Sequence, residues 1–289
     1  MVCSLDDYRQ SIGLFNNYKI CKTFVFVSWQ WWYSLLLFSV TLLLLLCGDV
    51  ELNPGPCKLK SLSLCHVNIR GLSDYKLRAI KTSLCDRFDI ITLSETFLGP
   101  LSTVDLTLPG YHAILRRDRP TFGGGLAIYV RENIVFKQCH DFRSASIENM
   151  WIEVHTKEGQ LLICNVYRPP NFRDFWDQFD SNIELVKMES SIKNIILLGD
   201  MNADFETIDG KKLVSVCLLH NLHCHIHEPT RITHSTSSCL DQVVSNIPNF
   251  VSSTNVDPPV STNDHSTVGV YLKFKSVRDV PYYRHILVV

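Results

Sequence analysis

The sequence lacks several features that would point directly to a function. It has 28 Lys+Arg against 29 Asp+Glu, so any basic surface must be local. Its 11 cysteines include no Cys-x-x-Cys pair, and their spacing indicates neither a disulfide framework nor a zinc site. We therefore expect reduced, mostly buried thiols, as in a cytosolic or nuclear protein. With 289 residues, 46% of them hydrophobic, the chain is long enough for one large domain or two ordinary ones.

An apolar stretch lies near the amino terminus. Residues 24–47 contain no charged side chain, and residues 42–46 are all leucine. This length is sufficient to span a bilayer, or to serve as the apolar region of an uncleaved signal. Lys19 and Lys22 give it the weakly positive flank that such segments carry.

A short Pro-rich and Gly-rich segment, residues 48–56, follows the apolar stretch directly. Its Asn-Pro and Pro-Gly pairs predict a turn. It also resembles the 2A-type ribosome-skipping peptides, whose seven specified positions all match here. The resemblance implies that no peptide bond forms between Gly55 and Pro56, at the end of a motif that includes Asn53 and Pro54. One reading frame would then yield two products.

Two segments have the pattern of buried strands that end in a polar residue. Residues 62–68 alternate and end at Asn68, whereas residues 89–95 are a second apolar run that ends at Glu95. Between them, apolar residues recur at helical spacing at Leu77, Ile80, Leu84 and Phe88. The pattern predicts a βαβ unit. Asn68 alone would be a turn residue and Glu95 alone a surface acid, but at neighbouring strand ends they could share one cation.

An uninterrupted aliphatic run, residues 195–198, predicts a strand buried on both faces. Asp200, Asn202 and Asp204 follow it within five residues. Side-chain oxygens at such a position suit a hard cation or a phosphate, although the same residues also form Asx turns.

The rest of the region predicts further strands, helices and one basic loop. A hairpin is expected from residues 151–155 and 161–167, and helices from residues 174–187 and 213–220. Arg116, Arg117 and Arg119 precede three consecutive glycines and the strand 126–130. This loop either approaches a phosphate backbone or is simply solvated.

Histidines and acids cluster toward the carboxyl terminus. His223, His225 and His227 alternate, which favours a strand with one face of histidines over a zinc site, because the spacing matches no zinc pattern. Asp241 and the pair Asp264-His265 come later. An Asp and a His that meet in space form an oriented general base.

The order of these polar residues resembles the endonuclease/exonuclease/phosphatase superfamily, which includes DNase I and the apurinic/apyrimidinic endonucleases. Segments such as Asn-Ile-Arg-Gly-Leu, Ser-Glu-Thr-Phe-Leu, Val-Tyr-Arg-Pro-Pro and Pro-Thr-Arg-Ile-Thr are most similar to the endonuclease domain of non-LTR retrotransposons. The resemblance covers about residues 60–274. One position departs from the family pattern: Asn263 stands where a Ser usually precedes Asp-His. Because Asn can still form a hydrogen bond, we expect this change to adjust the activity rather than abolish it.

The resemblance implies a fold, a reaction and a set of site residues. The fold is an α/β, four-layer sandwich of the DNase I type, with two mixed sheets flanked by helices. It would occupy residues 57–274, between a leader (1–56) and a short tail (275–289). The reaction is Mg²⁺-dependent nicking of DNA for retrotransposon integration, with Mn²⁺ as a substitute. The implied metal residues are Glu95, Asn68 and Asp264, the catalytic residues Asp200, Asn202, Asp241, His265 and Tyr167, and the substrate-binding residues Arg168, Arg116 and Thr230.

Three alternatives stay open at the level of the sequence. The same fold serves enzymes that act on lipid or inositol phosphates, and an inactive remnant would only bind nucleic acid. A membrane-anchored protein with a lumenal domain requires the 2A-like break to fail. The expected partners are DNA, a reverse transcriptase encoded downstream in a complete element, and a membrane for the leader. The domain would be nuclear or cytoplasmic if the break occurs, and membrane-bound or secretory if it does not.

We predict that in vitro translation of the reading frame yields two products separated between Gly55 and Pro56. The amine of proline is a poor attacking group, so the nascent chain is released before the bond forms. Electrophoresis of the labelled products measures this directly, and a single full-length band would contradict the prediction.

Overall fold

Two six-stranded sheets form the structure, a computed structural model that describes residues 38–39, 61–99, 101–102, 105–120 and 123–275. The strands of the first sheet are β1 (Ser61–Asn68), β2 (Ile90–Ser94), β3 (Leu115–Arg117), β4 (Leu126–Val130), β13 (Val251–Asp257) and β14 (Thr267–Lys275). Those of the second are β5 (Phe136–Gln138), β6 (Glu148–Thr156), β7 (Gly159–Tyr167), β8 (Asn194–Asp200), β9 (His223–Cys224) and β12 (Asp241–Ser245). A separate two-stranded ribbon pairs β10 (Arg231–Ile232) with β11 (Ser237–Ser238).

Each large sheet contains one parallel pair at its centre. The strand orders are β13-β14-β1-β2-β4-β3 and β5-β6-β7-β8-β12-β9, in which only β1–β2 and β7–β8 are parallel. A parallel pair requires a crossover, and helices α1 (Asp74–Ser83) and α2 (Phe175–Glu189) provide the two crossovers. Parallel strands end at the same edge. The register therefore places Asn68 beside Ser94, and Tyr167 beside Asp200.

Helices α1 and α3 begin where the sequence supplies capping side chains. The Ser73 hydroxyl accepts a hydrogen bond from the Lys76 amide at the start of α1, and the Thr207 hydroxyl accepts one from the Gly210 amide at the start of α3 (Ile208–Leu219). Such caps satisfy amides that have no partner within the helix.

Three apolar clusters correspond to the three interfaces between four layers. The first lies between the sheets and includes Leu64, Ile163 and Leu198. The second packs α2 and α3 against the outer face of the second sheet, and the third packs α1 against the outer face of the first. Burial of apolar area at about 25 cal/mol per Å² makes these interfaces the main source of stability. The arrangement is the predicted four-layer α/β sandwich with two mixed sheets.

A polar side chain also ties the two sheets together inside the first cluster. Asn165 of β7 is fully buried, and its amide nitrogen donates to the carbonyl oxygens of Leu93 at 2.8 Å and Ala127 at 3.0 Å. These bonds fix the spacing and register of the facing sheets, because a buried amide without partners would be costly.

Most of the elements expected from the sequence are confirmed, with several differences. Arg116 and Arg117, expected in a loop, lie in strand β3, and helix α3 begins at Ile208 rather than at residue 213. Helix α1 ends at Ser83, so Leu84 is its cap and Phe88 packs from the following turn rather than from a longer helix. The predicted histidine strand is wrong beyond its first two residues, since β9 is only His223–Cys224. His225 leaves the strand, and its Nε2 lies 2.8 Å from the Ser245 hydroxyl.

The described residues do not test the leader. The segment with Asn53, Pro54, Gly55 and Pro56, the tail from residue 276, and residues 1–56 apart from 38 and 39 lie outside them. Within the described part of the chain, no helix has the length and apolar character needed to cross a membrane. Strand β14 continues to Lys275, one residue past the predicted end of the domain.

We predict that Gly199→Ala destabilises the fold, because the added Cβ would lie 1.8 Å from the carbonyl oxygen of Val166 on the paired strand. Overpacking a filled core costs about 1–3 kcal/mol, and rigid backbone cannot give way, so we expect a loss of about 3 kcal/mol. Urea unfolding measures the change.

Gly99→Ala is the matched control, since its Cβ would meet nothing within 4 Å. Its free energy of unfolding should change by less than about 0.5 kcal/mol. Equal stability of the two variants would show that the close approach of β7 and β8 does not limit position 199.

Candidate active site

The polar ends of the two parallel pairs meet at one edge of the sandwich. Asn68 ends β1 and Glu95 follows β2 directly, while Tyr167 and Asp200 end β7 and β8 on the facing sheet. The predicted residues from both halves of the sequence therefore reach one site.

The amide of Asn68 lies at the centre of this group. Its nitrogen donates to Glu95 Oε1 at 3.0 Å and to Asp200 Oδ2 at 2.9 Å, and so joins carboxylates from the two sheets. The Tyr167 hydroxyl donates to the same Glu95 oxygen at 2.8 Å. Both bonds fall on Oε1, and no described residue donates to Oε2, which is left for another ligand.

Two site residues have a left-handed backbone that glycine would adopt more easily: Glu95 with φ 51° and Asn202 with φ 43°. Such conformations cost about 1–3 kcal/mol and persist only where the surroundings hold them. The Gly71 amide donates to the Glu95 carbonyl at 2.7 Å, and the Asn202 amide donates to Asp200 Oδ1 at 2.9 Å. These bonds hold the turn after each strand at the site.

Asp241 and His265 form a buried pair beside Asp200. His265 Nδ1 lies 2.8 Å from Asp241 Oδ2, and the Thr230 hydroxyl donates to the same oxygen at 2.7 Å. The backbone of Thr230 also accepts a bond from the Ser266 amide at 2.7 Å, which holds the two segments side by side. The contact with Asp241 thus fixes the orientation of the imidazole through Nδ1.

The electrostatics of the site follow from burial and charge density. Burial, followed by the charge of Asp241, raises the pKa of Asp200 to about 7. Burial, the largest single effect, lowers the pKa of His265, but the charge and hydrogen bond of Asp241 together with the charges of Asp200 and Asp264 outweigh it and raise that pKa to about 9. Burial also raises the pKa of the Tyr167 hydroxyl, with the Glu95 charge next in importance.

Asp264 lies at the rim, where it pairs with arginines. Its Oδ2 lies 2.8 Å from both Nε and Nη2 of Arg231, and its Oδ1 lies 3.5 Å from Arg70. Asn263, the departure from the family pattern, accepts from the Asp264 amide at 2.9 Å and donates to the Asn68 carbonyl. The Asn263 side chain therefore forms a hydrogen bond between the rim and β1.

One group among the described residues has three candidate ligand atoms within 4.8 Å of one another, and it consists of Asp200, Asp241 and His265. All three are buried. Carboxylate oxygens with an imidazole suit a divalent cation. This group differs from the predicted metal set of Glu95, Asn68 and Asp264, whose members lie at the strand ends and rim described above.

The contacts of the predicted substrate-binding residues are with protein. The guanidinium of Arg168 is almost fully buried, bonds the Asn202 carbonyl at 2.9 Å and pairs with Asp209 at 2.7 Å. Arg116 pairs with Asp118 at 2.6 Å, and the buried Thr230 supports Asp241. The predicted substrate-binding role of these three residues therefore stays a prediction.

The contacts of Asn202 and Asp204 are likewise with protein groups. The Asn202 amide nitrogen donates to the Arg168 carbonyl at 2.8 Å and lies 3.3 Å from Asp200 Oδ2. Asp204 accepts from the Cys239 amide at 2.8 Å, and this bond links the loop after β8 to the start of β12.

Sequence reasoning missed His66, which is fully buried with its Nε2 3.8 Å from Asp241 Oδ1. It also missed Glu148, a carboxylate that accepts from the Gly125 amide at 2.7 Å and pairs with Arg119 at 2.8 Å. For His66 a signal was present: alternation along β1 puts it on the same face as Asn68.

The facing sheets and the buried acid–histidine site define an α/β protein suited to hold a cation and a phosphate at one edge. The profile of the Endonuclease/Exonuclease/phosphatase family matches residues 65–262, and the chain belongs to this family. A search of curated protein sequences finds no match.

Solved structures with the same fold include three nucleic-acid enzymes. The endonuclease domain of TRAS1, a telomere-specific non-LTR retrotransposon, is 15% identical, with a TM-score of 0.61, and the match covers 73% of this chain and 98% of that one. The AP endonuclease LMAP from Leishmania major is 12% identical, with a TM-score of 0.61 and coverages of 74% and 88%. The 3′-5′ exonuclease NExo from Neisseria meningitidis is 15% identical, with a TM-score of 0.55 and coverages of 73% and 99%. Identities this low establish the shared fold.

We predict that Thr230→Val lowers the free energy of unfolding by about 2 kcal/mol, because it leaves a buried carboxylate without one of its donors. The hydroxyl also accepts from the amides of Leu240 and Asp241 at 3.0 and 2.9 Å, and those bonds would be lost too. Thr230→Ser keeps the hydroxyl and should lose only about 1 kcal/mol for its missing methyl group. Urea unfolding compares them, and equal stability of Val and Ser would contradict the assigned bonds.

Proposed function

We propose that the chain is a divalent-metal-dependent DNA endonuclease that hydrolyses a phosphodiester bond. The observation that carries this proposal is the convergence of Glu95, Asn68 and Asp200 from two sheets beside the Asp241–His265 pair. Hydrolysis of a phosphodiester requires a proton acceptor for water and positive charge at the phosphate, and this site contains groups for both.

The residues at the site fit a divalent metal ion. Glu95 Oε2 receives no hydrogen bond from the described residues. Glu95, positioned by Asn68, would hold Mg²⁺, with Mn²⁺ as a substitute, and Asp264 is the supporting carboxylate. When bound, such an ion neutralises charge that develops on the phosphate and the leaving oxygen.

The remaining roles divide between Asp200 and His265. Asp200, with a pKa of about 7, is suited to accept the proton of the attacking water near neutral pH. His265, with a pKa of about 9, is protonated at that pH and donates to a phosphate oxygen. No described residue bonds its Nε2, whereas Nδ1 is held by Asp241, so Nε2 is the nitrogen available to the phosphate. Tyr167 keeps Glu95 oriented through its 2.8 Å bond.

Basic side chains at the rim favour a nucleic-acid substrate. The side chains of Arg70 and Arg231 are 61% and 37% exposed, and both pair with Asp264 next to His265. Arginines at this position can bind the phosphates that flank the cleaved bond. One NExo structure from Neisseria contains a product DNA hairpin, and two of the other similar structures are endonucleases.

The biological setting that we propose is retrotransposon integration. The motifs Val-Tyr-Arg-Pro-Pro and Pro-Thr-Arg-Ile-Thr support it, and in the structure the second motif supplies both Thr230 and Arg231 to the site. The nick would leave a 3′-hydroxyl that primes a reverse transcriptase encoded elsewhere in a complete element. The nucleus is the compartment in which such an enzyme meets its target.

We predict that the full-length chain nicks supercoiled plasmid DNA in Mg²⁺ and not in EDTA. Glu95→Ala and His265→Ala should each lower the rate at least about 100-fold, because each removes charge stabilisation at the reacting phosphate. Gel electrophoresis of relaxed and supercoiled plasmid measures the rate. Glu132→Ala and His223→Ala, which change exposed side chains outside the site, are the matched controls and should keep wild-type activity.

Nicking that survives EDTA, or variants of Glu95 and His265 as active as the controls, would overturn the assignment. If the folded wild-type chain does not cleave DNA, phospholipids and inositol phosphates are the next substrates. Hydrolysis of either would replace DNA as the substrate, and inactivity on all three would indicate a remnant.

A further inference from the structure

His66 lies at the boundary between the apolar core and the proposed active site. Its strand β1 directs Leu62, Leu64, His66 and Asn68 to the same side, toward the second sheet. The two leucines belong to the core between the sheets, and Asn68 belongs to the site. The imidazole has no exposed surface and lies against the Asp241 carboxylate on the side of the core.

The ring is held at both nitrogens by hydroxyl groups of β2. Nδ1 lies 3.0 Å from the Thr92 hydroxyl, which itself donates to the Cys65 carbonyl at 2.9 Å. Nε2 lies 3.2 Å from the Ser94 hydroxyl. A hydroxyl has one proton, so Thr92 accepts from Nδ1–H, and Nε2 accepts from Ser94. This tautomer gives every donor a partner.

The two oxygens of the Asp241 carboxylate differ in their hydrogen-bond partners. Oδ2 receives Thr230 and His265 at 2.7 and 2.8 Å, whereas Oδ1 is buried and has no hydrogen-bond partner among the described residues. His66 Nε2, whose lone pair accepts from Ser94, lies 3.8 Å from Oδ1, so the ring is next to this oxygen without donating to it. A donor at Oδ1 would draw charge away from the bond to His265.

We propose that His66 is a positioning residue for the Asp241–His265 pair, because its neutral ring closes the Oδ1 side of the carboxylate and keeps the negative charge on Oδ2. The role rests on the proposed function in that His265 acts on the phosphate. It does not require His66 to touch the substrate or the metal. Outer groups that orient a reacting side chain commonly affect the rate about 10- to 100-fold.

The test compares His66→Ala and His66→Gln in the full-length chain with His225→Gln as a matched control. His225 is also bonded to a serine hydroxyl but lies outside the site. Three quantities are compared: the melting temperature, kcat for plasmid nicking, and the proton NMR signal of His265 Nδ1–H, with KM recorded alongside kcat. That signal moves downfield as the bond to Asp241 strengthens.

We expect His66→Ala to admit water to Oδ1. This change should lower kcat about 10- to 100-fold while KM stays within about twofold of the wild-type value. It should also move the His265 Nδ1–H signal upfield. His66→Gln refills the space with an amide that donates to Oδ1. It should restore the melting temperature but neither kcat nor the NMR signal. His225→Gln should leave kcat and the signal as in the wild type.

Two results would overturn the proposal: a folded His66→Ala chain with wild-type kcat and an unmoved signal, or a His66→Gln chain that restores all three quantities. The second result would show that His66 only fills space. If the wild-type chain nicks no DNA, the proposed function fails, and the NMR signal of His265 still decides whether His66 positions the pair.

Discussion

The hydrogen bonds from Asn68 to Glu95 and Asp200 are the interaction on which the active site depends. One amide nitrogen holds two carboxylates that come from different sheets and are separated by 105 positions in the sequence. Buried carboxylates without donors would repel each other and destabilise the fold, so the facing sheets must meet at the spacing that this amide allows. The Asn165 amide, bonded across the sheets to Leu93 and Ala127, fixes that spacing from within the core.

Around this amide, the site is built in layers that each constrain the next. Leucines of β1 and β8 form the apolar floor between the sheets, and His66 with its two hydroxyl partners lies above them. The Asp241 carboxylate rests on this ring, with Thr230 and His265 on its other oxygen. A larger side chain in any of these layers would displace the layers nearer the site, because the interior of a protein is close-packed.

The concentration of acids explains the chemistry that the site favours. Glu95, Asp200 and Asp241 lie together, and the His265 imidazole and the rim arginines offset part of their charge. In a poorly solvated site, negative charges are costly unless they are protonated or paired. The pKa of Asp200 is raised because its charged form is disfavoured there, and the pKa of His265 is raised because its protonated form pairs with the acids. A divalent cation at the edge, and a phosphodiester bound to it, would balance the same charges.

The sequence by itself determined the elements and most of the residues that meet in the site. Residues 195–198 have the pattern of a buried strand, and alternation up to Asn68 showed where β1 ends, because these patterns depend on local geometry. It did not determine what each side chain contacts. Arg168 and Thr230 could have faced a substrate, but Asp209 and Asp241 bind them instead. His66 had no distinguishing motif, and the three-residue alternation from His223 predicted more strand than exists. Such contacts arise between segments far apart in the chain, and their geometry is set by the packing of the two sheets, which only the tertiary structure decides.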